Sequence, residues 1–465
     1  MLSVFLYYAI TVNIYIIVYS SPLIYAGLLF SATFLRREPK GKLLVLLVTV
    51  SSMTFLAEMF LNYQSYSENA ERREAGRRLI SKTAARLGYP PDTRTKVEIV
   101  AGLRAEGKDA FPFLGAREVN VEGRRVLAIG GVSDATTVQC NESGAPVVYR
   151  SDEHGFNNQK GTWKWKIVDI VLVGDSFTLG YCVPSDRNLA GIIRRKGFRV
   201  VNLGVAGSLP IHYLAAMREY LFNFQPKHIF FVYYEGNDFY KWRDFPELPS
   251  GVAWRYLDAG FTQGLAFFQK DLDKALKEQY LRGNGGEIKS IQQGTRDSFF
   301  GSIDIKELVV LGKLRGLVGL NPYYPSILKR ISERNLRQGD NPEDATRSLD
   351  LLLKVISAAK SEADKSRGEF HFVYIPSLVR YWPRFDEWQR RFIEEMGIRP
   401  AKSDGTPYKD RVVKAVRELG ISVIDVEPAF GSDERPQDLF HSIRSHYSEE
   451  GYEVVAREMT AVINR

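Results

Sequence analysis

Cysteine is nearly absent from this chain: two residues in 465, Cys140 and Cys182. That excludes a zinc-finger or iron–sulfur framework and leaves two readings, one disulfide or two separate buried thiols. Histidine is scarce as well, with six, so few positions can supply an imidazole base. Finger spacing and interleaved basic and aromatic residues of the RNA-binding kind are both missing. The net charge of +8 therefore points to anionic lipid or anionic polysaccharide rather than to nucleic acid. A disordered composition is also missing: 45% hydrophobic and 12% aromatic residues suffice for a packed core.

Charge is lacking altogether from Met1 to Leu35, a stretch longer than the roughly 20 residues one helix needs to cross a bilayer. Arg36, Arg37, Lys40 and Lys42 follow, then a second apolar run from Leu44 to Leu61 broken only by Glu58. Two or three apolar passes are expected over 1–62, as N-terminal transmembrane helices. The positive-inside rule puts the 36–42 loop in the cytoplasm and the remainder on the other side, in the periplasm of an inner-membrane protein. A cleaved signal peptide fits less well, because there are two long runs and no small-residue cleavage site.

Beyond the anchor, 63–160 reads as a charge-rich helix followed by a small β-rich or irregular lead-in domain, with short apolar runs between turn residues. From 161 to 465 the pattern becomes α/β. Buried strands are expected at 166–173, 198–203, 228–234, 370–375 and 421–426, with helices between them, which implies a parallel sheet covered on both faces. The segment 246–345 is too long for a connection and reads as a helical insertion. In such sheets ligands bind at the carboxyl ends of the strands.

Residues with chemistry stand at those ends. The first strand runs into Gly174-Asp175-Ser176, which holds a serine at the active edge. The second runs into Asn202-Leu203-Gly204-Val205-Ala206-Gly207 and the third into Glu235-Gly236-Asn237-Asp238. His446 opens the last helix. Ser176 can attack a carbonyl with a histidine taking its proton. The N–H groups of Ser176 and Gly207 and the Asn237 amide can hold the resulting oxyanion.

These four blocks, in the order Ser, Gly, Asn, His, resemble the SGNH/GDSL hydrolase superfamily. Ser151-Asp152-Glu153-His154-Gly155-Phe156-Asn157-Asn158 resembles the lead-in of bacterial, membrane-tethered members that occur with cell-surface polysaccharide machinery. The resemblance covers about 150–240 and 370–460 and implies a flavodoxin-like three-layer sandwich, with no metal and no cofactor. It also implies esterase or O-acyltransferase chemistry on acyl groups, often acetyl, of a glycan or lipid-linked sugar. Transfer would draw on an acyl-donor membrane protein in trans.

The sequence departs from the family beside the histidine. Arg444 and Ile443 stand where an aspartate usually precedes the base. His446 has the family's His-x-x-x-x-Gly spacing to Gly451, whereas Asp438 and His441 keep the Asp-x-x-His spacing. His446 is the expected base, its acid either missing or supplied by Asp438, with His441 as the alternative base. A missing acid would also suit a catalytically weak or inactive SGNH-fold protein that binds or assembles polysaccharide.

Overall fold

The computed structural model describes residues 90–239, 251–292, 342–385, 408–440 and 446–463, with scattered positions in 41–88 and 387–390. The chain divides into two compact units, Met1–Gly76 with Arg296–Gly339 and Arg77–Thr295 with Asp340–Arg465. Of the first unit, Gly41, Lys42, Thr49, Glu74 and Gly76 are described, each helical.

The expectation of N-terminal transmembrane helices is corrected: among the described residues no helix is long and apolar enough to cross a membrane. Most of 1–62, on which that expectation rested, lies outside the described residues.

In the second unit, helical residues at 77, 78 and 80–85 precede helix α1 (Lys96–Ala105) and five short strands. These are β1 (Ala110–Pro112), β2 (Arg117–Val121), β3 (Arg124–Ala128), β4 (Thr136–Cys140) and β5 (Val147–Arg150). Thr95 caps α1 through a capping box with Glu98, which satisfies N–H groups that the first turn leaves unpaired. β2 and β3 form a hairpin closed by Glu122 and Gly123, both at positive φ. That geometry matches the right-handed twist of paired strands. β4 lies between β1 and β5, parallel to the first and antiparallel to the second.

The larger sheet follows. Its strands are β6 (Ile167–Gly174), β7 (Val200–Asn202), β8 (Gln225–Tyr234), β9 (Glu369–Ile375) and β10 (Ser422–Asp425). They run parallel in the order β10-β9-β8-β6-β7, the flavodoxin-like 2-1-3-4-5 order of a doubly wound sheet. Alternation along β6 assigns its two faces. Ile170 and Leu172 enter one apolar core, with Leu189, Ile192 and Met459; Val171 and Val173 enter the other, with Leu214, Leu352 and Val355. The second core also takes Val119, Val126 and Leu127 from the hairpin, so the β-rich lead-in is packed into the α/β unit. Of the insertion, 251–292 and 342–345 are described: 3-10 turns at Val252–Leu257 and Leu265–Phe267, the helix Gln269–Gln292, and the start of the helix Pro342–Lys365.

The motif from Ser151 to Asn158 ties lead-in to sheet through one buried carboxylate. Asp152 accepts from the His154 and Phe156 N–H groups, each at 2.9 Å, and from Asn158 Nδ2 and Trp163 Nε1, each at 2.8 Å. Asn158 in turn brackets the end of β7, donating to Asn202 O and accepting from Asn202 N–H. Burial pushes the Asp152 carboxyl up to about 6 although four N–H donors favour its charged form. All four donors need an acceptor. Asp152→Asn turns an amide nitrogen toward some of them, and the expected cost is about 2–4 kcal/mol, read as a lower urea midpoint at unchanged slope. An unchanged midpoint would show that the motif is not held by this carboxylate.

Candidate active site

Ser176 follows β6 after one intervening residue, Asp175, and begins helix α2 (Ser176–Leu179). Asp175 caps that helix by accepting the Phe177 N–H at 2.9 Å. The cap fixes the backbone on which Ser176 sits, and the Ser176 N–H belongs to the first turn, whose donors have no partner within the helix. Ser176 is 7% exposed, buried but reachable.

His446 precedes helix α9 (Glu449–Ile463); helices α3 to α8 are Leu189–Arg195, Pro210–Tyr220, Gln269–Gln292, Pro342–Lys365, Lys409–Glu418 and Glu427–Gly431 in chain order. Its Nε2 lies 3.0 Å from Ser176 Oγ, hydrogen-bond reach for a base and a nucleophile. The imidazole packs between the Phe177 and Tyr181 rings, with centroids at 5.1 and 4.8 Å. The next residue anchors it: Tyr447 is fully buried and donates to the Pro376 carbonyl at 2.5 Å. Phe440 and Tyr447 form an antiparallel bridge, and the Ser448 N–H donates to Leu439 O. A Cβ on Gly451 would sit 2.2 Å from that same Leu439 oxygen, the steric reason for glycine five residues after His446.

The two oxyanion candidates stand at the same edge. Gly207 lies in the turn after β7, exposed and at φ +78°, a conformation that disfavours a side chain. Asn237 lies in the turn after β8, and its Nδ2 donates to Asp175 Oδ2 at 3.3 Å. An amide nitrogen carries two hydrogens, so one remains for a ligand. Asp175 thus joins the nucleophile's helix to the asparagine's turn.

That turn is held from below. Glu235, 1% exposed in its side chain, is gripped by Arg380 at 2.7 and 3.1 Å. It also accepts from Tyr374 Oη at 2.6 Å and from the Ser377 N–H at 2.7 Å. Burial raises the Glu235 carboxyl, but the Arg380 guanidinium and these donors outweigh it and hold it below its ordinary 4.5. A carboxylate lowered in this way stabilises the fold above its ordinary value, and the contribution is lost as pH falls through the lowered one.

The acid side of the histidine departs from expectation. Asp438 lies in the 3-10 turn Pro436–Leu439, and its carboxylate pairs with Arg435 at 2.7 Å. His441 lies outside the described residues. The carboxylate facing His446 is Glu142, whose Oε2 is 3.5 Å from Nδ1, each side chain 16% exposed. Sequence reasoning missed this residue. The signal that could have found it is its place two residues after Cys140, because Cys140 is disulfide-bonded to Cys182, six residues after Ser176.

One group of metal-ligand type occurs among the described residues: His228, Glu369 and His371. It lies at the amino ends of β8 and β9, opposite the Ser176 edge. His228 Nδ1 and His371 Nε2 are 3.0 Å apart, and burial lowers both imidazoles, so the two rings read as a neutral hydrogen-bonded pair.

Strand order, serine after the first strand, glycine turn after the second, asparagine after the third and histidine before the last helix agree with the arrangement that the resemblance to SGNH/GDSL hydrolases implies. No family model matches the chain, and no curated protein matches its sequence. Among solved structures it is similar to two proteins described as lipolytic and of the G-D-S-L family. The one from Desulfitobacterium hafniense DCB-2 is 12% identical, with a TM-score of 0.29, over 63% of this chain and 99% of that one. The one from Veillonella parvula DSM 2008 is 15% identical, also at 0.29, over 64% of this chain and 99% of that one. Likenesses this slight carry no argument about activity.

Arg380→Ala leaves the buried Glu235 without its counter-charge. The expected cost is about 3–5 kcal/mol at neutral pH, shrinking as pH is lowered and Glu235 takes a proton. A melting temperature equal to wild type at neutral pH would show that the pair does not hold this turn.

Proposed function

We propose that the protein is a serine esterase or O-acyltransferase acting through an acyl-enzyme on Ser176. One observation carries the reading: the 3.0 Å approach of His446 Nε2 to Ser176 Oγ at the carboxyl edge of a parallel sheet, where such folds place their ligands.

The proposed steps are these. Ser176 Oγ attacks the ester carbonyl carbon while His446 Nε2 takes the hydroxyl proton. The electron pair displaced onto the carbonyl oxygen meets the Ser176 N–H, the Gly207 N–H and the Asn237 amide. Donors set in advance, out of bulk water, stabilise that charge more than solvent does. The tetrahedral species then collapses, and the imidazolium gives its proton to the departing alkoxide. Water or a sugar hydroxyl attacks the acyl-serine with His446 again as base, which returns Ser176.

The proposed substrate class is a small acyl ester, acetyl in particular, on a glycan or lipid-linked sugar, with an acyl donor acting in trans if the reaction is transfer. Support comes from the Ser–Gly–Asn–His blocks and the Ser151–Asn158 lead-in. An extracytoplasmic setting is supported by the Cys140–Cys182 disulfide, since such bonds persist in oxidising compartments. The non-catalytic alternative drew on a missing acid beside His446, and a carboxylate, Glu142, faces that ring.

p-Nitrophenyl acetate hydrolysis by the purified protein tests the proposal. Ser176→Ala should lower kcat by about 10³-fold or more, to background. Asn237→Ala should lower it by about 10²–10³-fold with little change in KM. Equal rates for wild type and Ser176→Ala would overturn the reading.

A further inference from the structure

The residue facing the far side of the His446 ring belongs neither to the segment around His446 nor to the large sheet. Glu142 comes from the lead-in region, just past β4. It is the one carboxylate within ion-pair reach of His446 among the described residues. Attachments fix each of the three residues before it. Cys140 is bonded to Cys182, which lies in the segment that leaves α2 and therefore shares a short stretch of chain with Ser176. Gln139 Oε1 accepts the Cys182 N–H at 2.8 Å. The Asn141 amide donates to the carbonyls of Asp92 and Arg94, each at 2.8 Å. On the other side, the Asp92 N–H donates to Gly144 O at 3.0 Å.

Cys182 itself has φ +65°, a left-handed conformation that costs a non-glycine residue about 1–2 kcal/mol. Strain of this kind persists where the surroundings over-determine it, and it gathers at functional sites. Here the surroundings are the bond to Cys140 and the hydrogen bond to Gln139. Both draw the β4 end, and with it Glu142, against the nucleophile's segment.

We infer that Glu142 is the positioning acid of His446, and that the Cys140–Cys182 disulfide holds it in place, so the lead-in region completes the active site. The inference rests on the esterase reading for its kinetic consequences. The division of labour is physical. Nε2 is engaged with Ser176, which leaves Nδ1 to carry the ring's other proton, and a carboxylate facing Nδ1 selects that tautomer and stabilises the imidazolium formed during attack. The 3.5 Å separation shortens as the ring takes on charge, as such contacts do on going from the free to the reacting enzyme. The disulfide makes the placement sensitive to reduction. A dithiol such as dithiothreitol is oxidised to its cyclic disulfide while Cys140 and Cys182 become thiols, and the β4 end is then joined to the Ser176 segment by the Gln139 hydrogen bond without its covalent tie.

The test combines kinetics with a readout independent of turnover. With p-nitrophenyl acetate, Glu142→Gln should lower kcat by about 10³-fold with KM nearly unchanged, and Glu142→Asp should recover about tenfold of that loss or more. Dithiothreitol treatment, or the Cys140→Ser/Cys182→Ser double variant, should lower kcat in wild type and add little in the Glu142→Gln background. Melting temperatures separate these effects from unfolding. In protein carrying ¹⁵N-labelled histidine, the His446 Nδ1–H resonance, assigned by its loss in His446→Gln, should be present in wild type. It should vanish in Glu142→Gln and weaken on reduction. If it persists unchanged in Glu142→Gln, or if folded Glu142→Gln turns over at the wild-type rate, the positioning role is overturned. If the reduced and double-serine proteins keep wild-type kcat and an unchanged resonance, the role of the disulfide is overturned. Were the wild type to show no hydrolysis while its resonance still depended on Glu142, the esterase reading would fail and the placement of the acid would stand.

Discussion

A contact of 3.0 Å joins Ser176 Oγ to His446 Nε2 across 270 positions of chain, and the architecture is arranged around keeping it. Each residue is held by the one beside it, but nothing near either in sequence brings the two together. Ser176 is fixed by the end of β6 and the Asp175 cap. His446 is fixed by the buried Tyr447 next to it, tied to the loop after β9 through Pro376. A parallel sheet makes such a meeting routine: every strand delivers its carboxyl end to the same edge, whatever the length of chain between strands.

The buried carboxylates Glu235, Asp175 and Asp152 are each held by a counter-charge or by N–H donors. Glu235 is balanced by Arg380 and so holds the turn that carries Asn237. Asp175 takes hydrogen bonds from the α2 backbone and from Asn237. Asp152 gathers four N–H donors and braces β7 through Asn158. The unit therefore holds its polar groups in set directions before a substrate arrives, which is what stabilising a transient oxyanion requires.

Strand positions and the edge they share were legible in sequence, because buried parallel strands read as continuous apolar runs and their ends were marked by glycine, asparagine and serine. The strand-end positions of Ser176, Gly207 and Asn237 were legible for the same reason, and that of His446 from its spacing to Gly451. Glu142 was not. It lies in a short loop with no periodicity, 304 positions before His446 (446 − 142), and only tertiary packing and the Cys140–Cys182 bond bring it there. Asp438 keeps the Asp-x-x-His spacing to His441, which lies outside the described residues, and its carboxylate pairs with Arg435. Spacing captures what a regular element imposes and misses what a loop does with its side chains. The apolar N-terminus shows the same boundary from another side: its composition suggested spans, while no helix among the described residues has the length and apolar character to cross a membrane.

The central claim is that Ser176 is a nucleophile activated by His446, and covalent labelling tests it most directly. Purified protein treated with a fluorophosphonate should gain one adduct by intact mass, mapped to the peptide that contains Ser176. The rate of labelling should fall sharply in His446→Ala. An unmodified Ser176 peptide in folded wild-type protein, or labelling that proceeds equally fast without His446, would contradict the account.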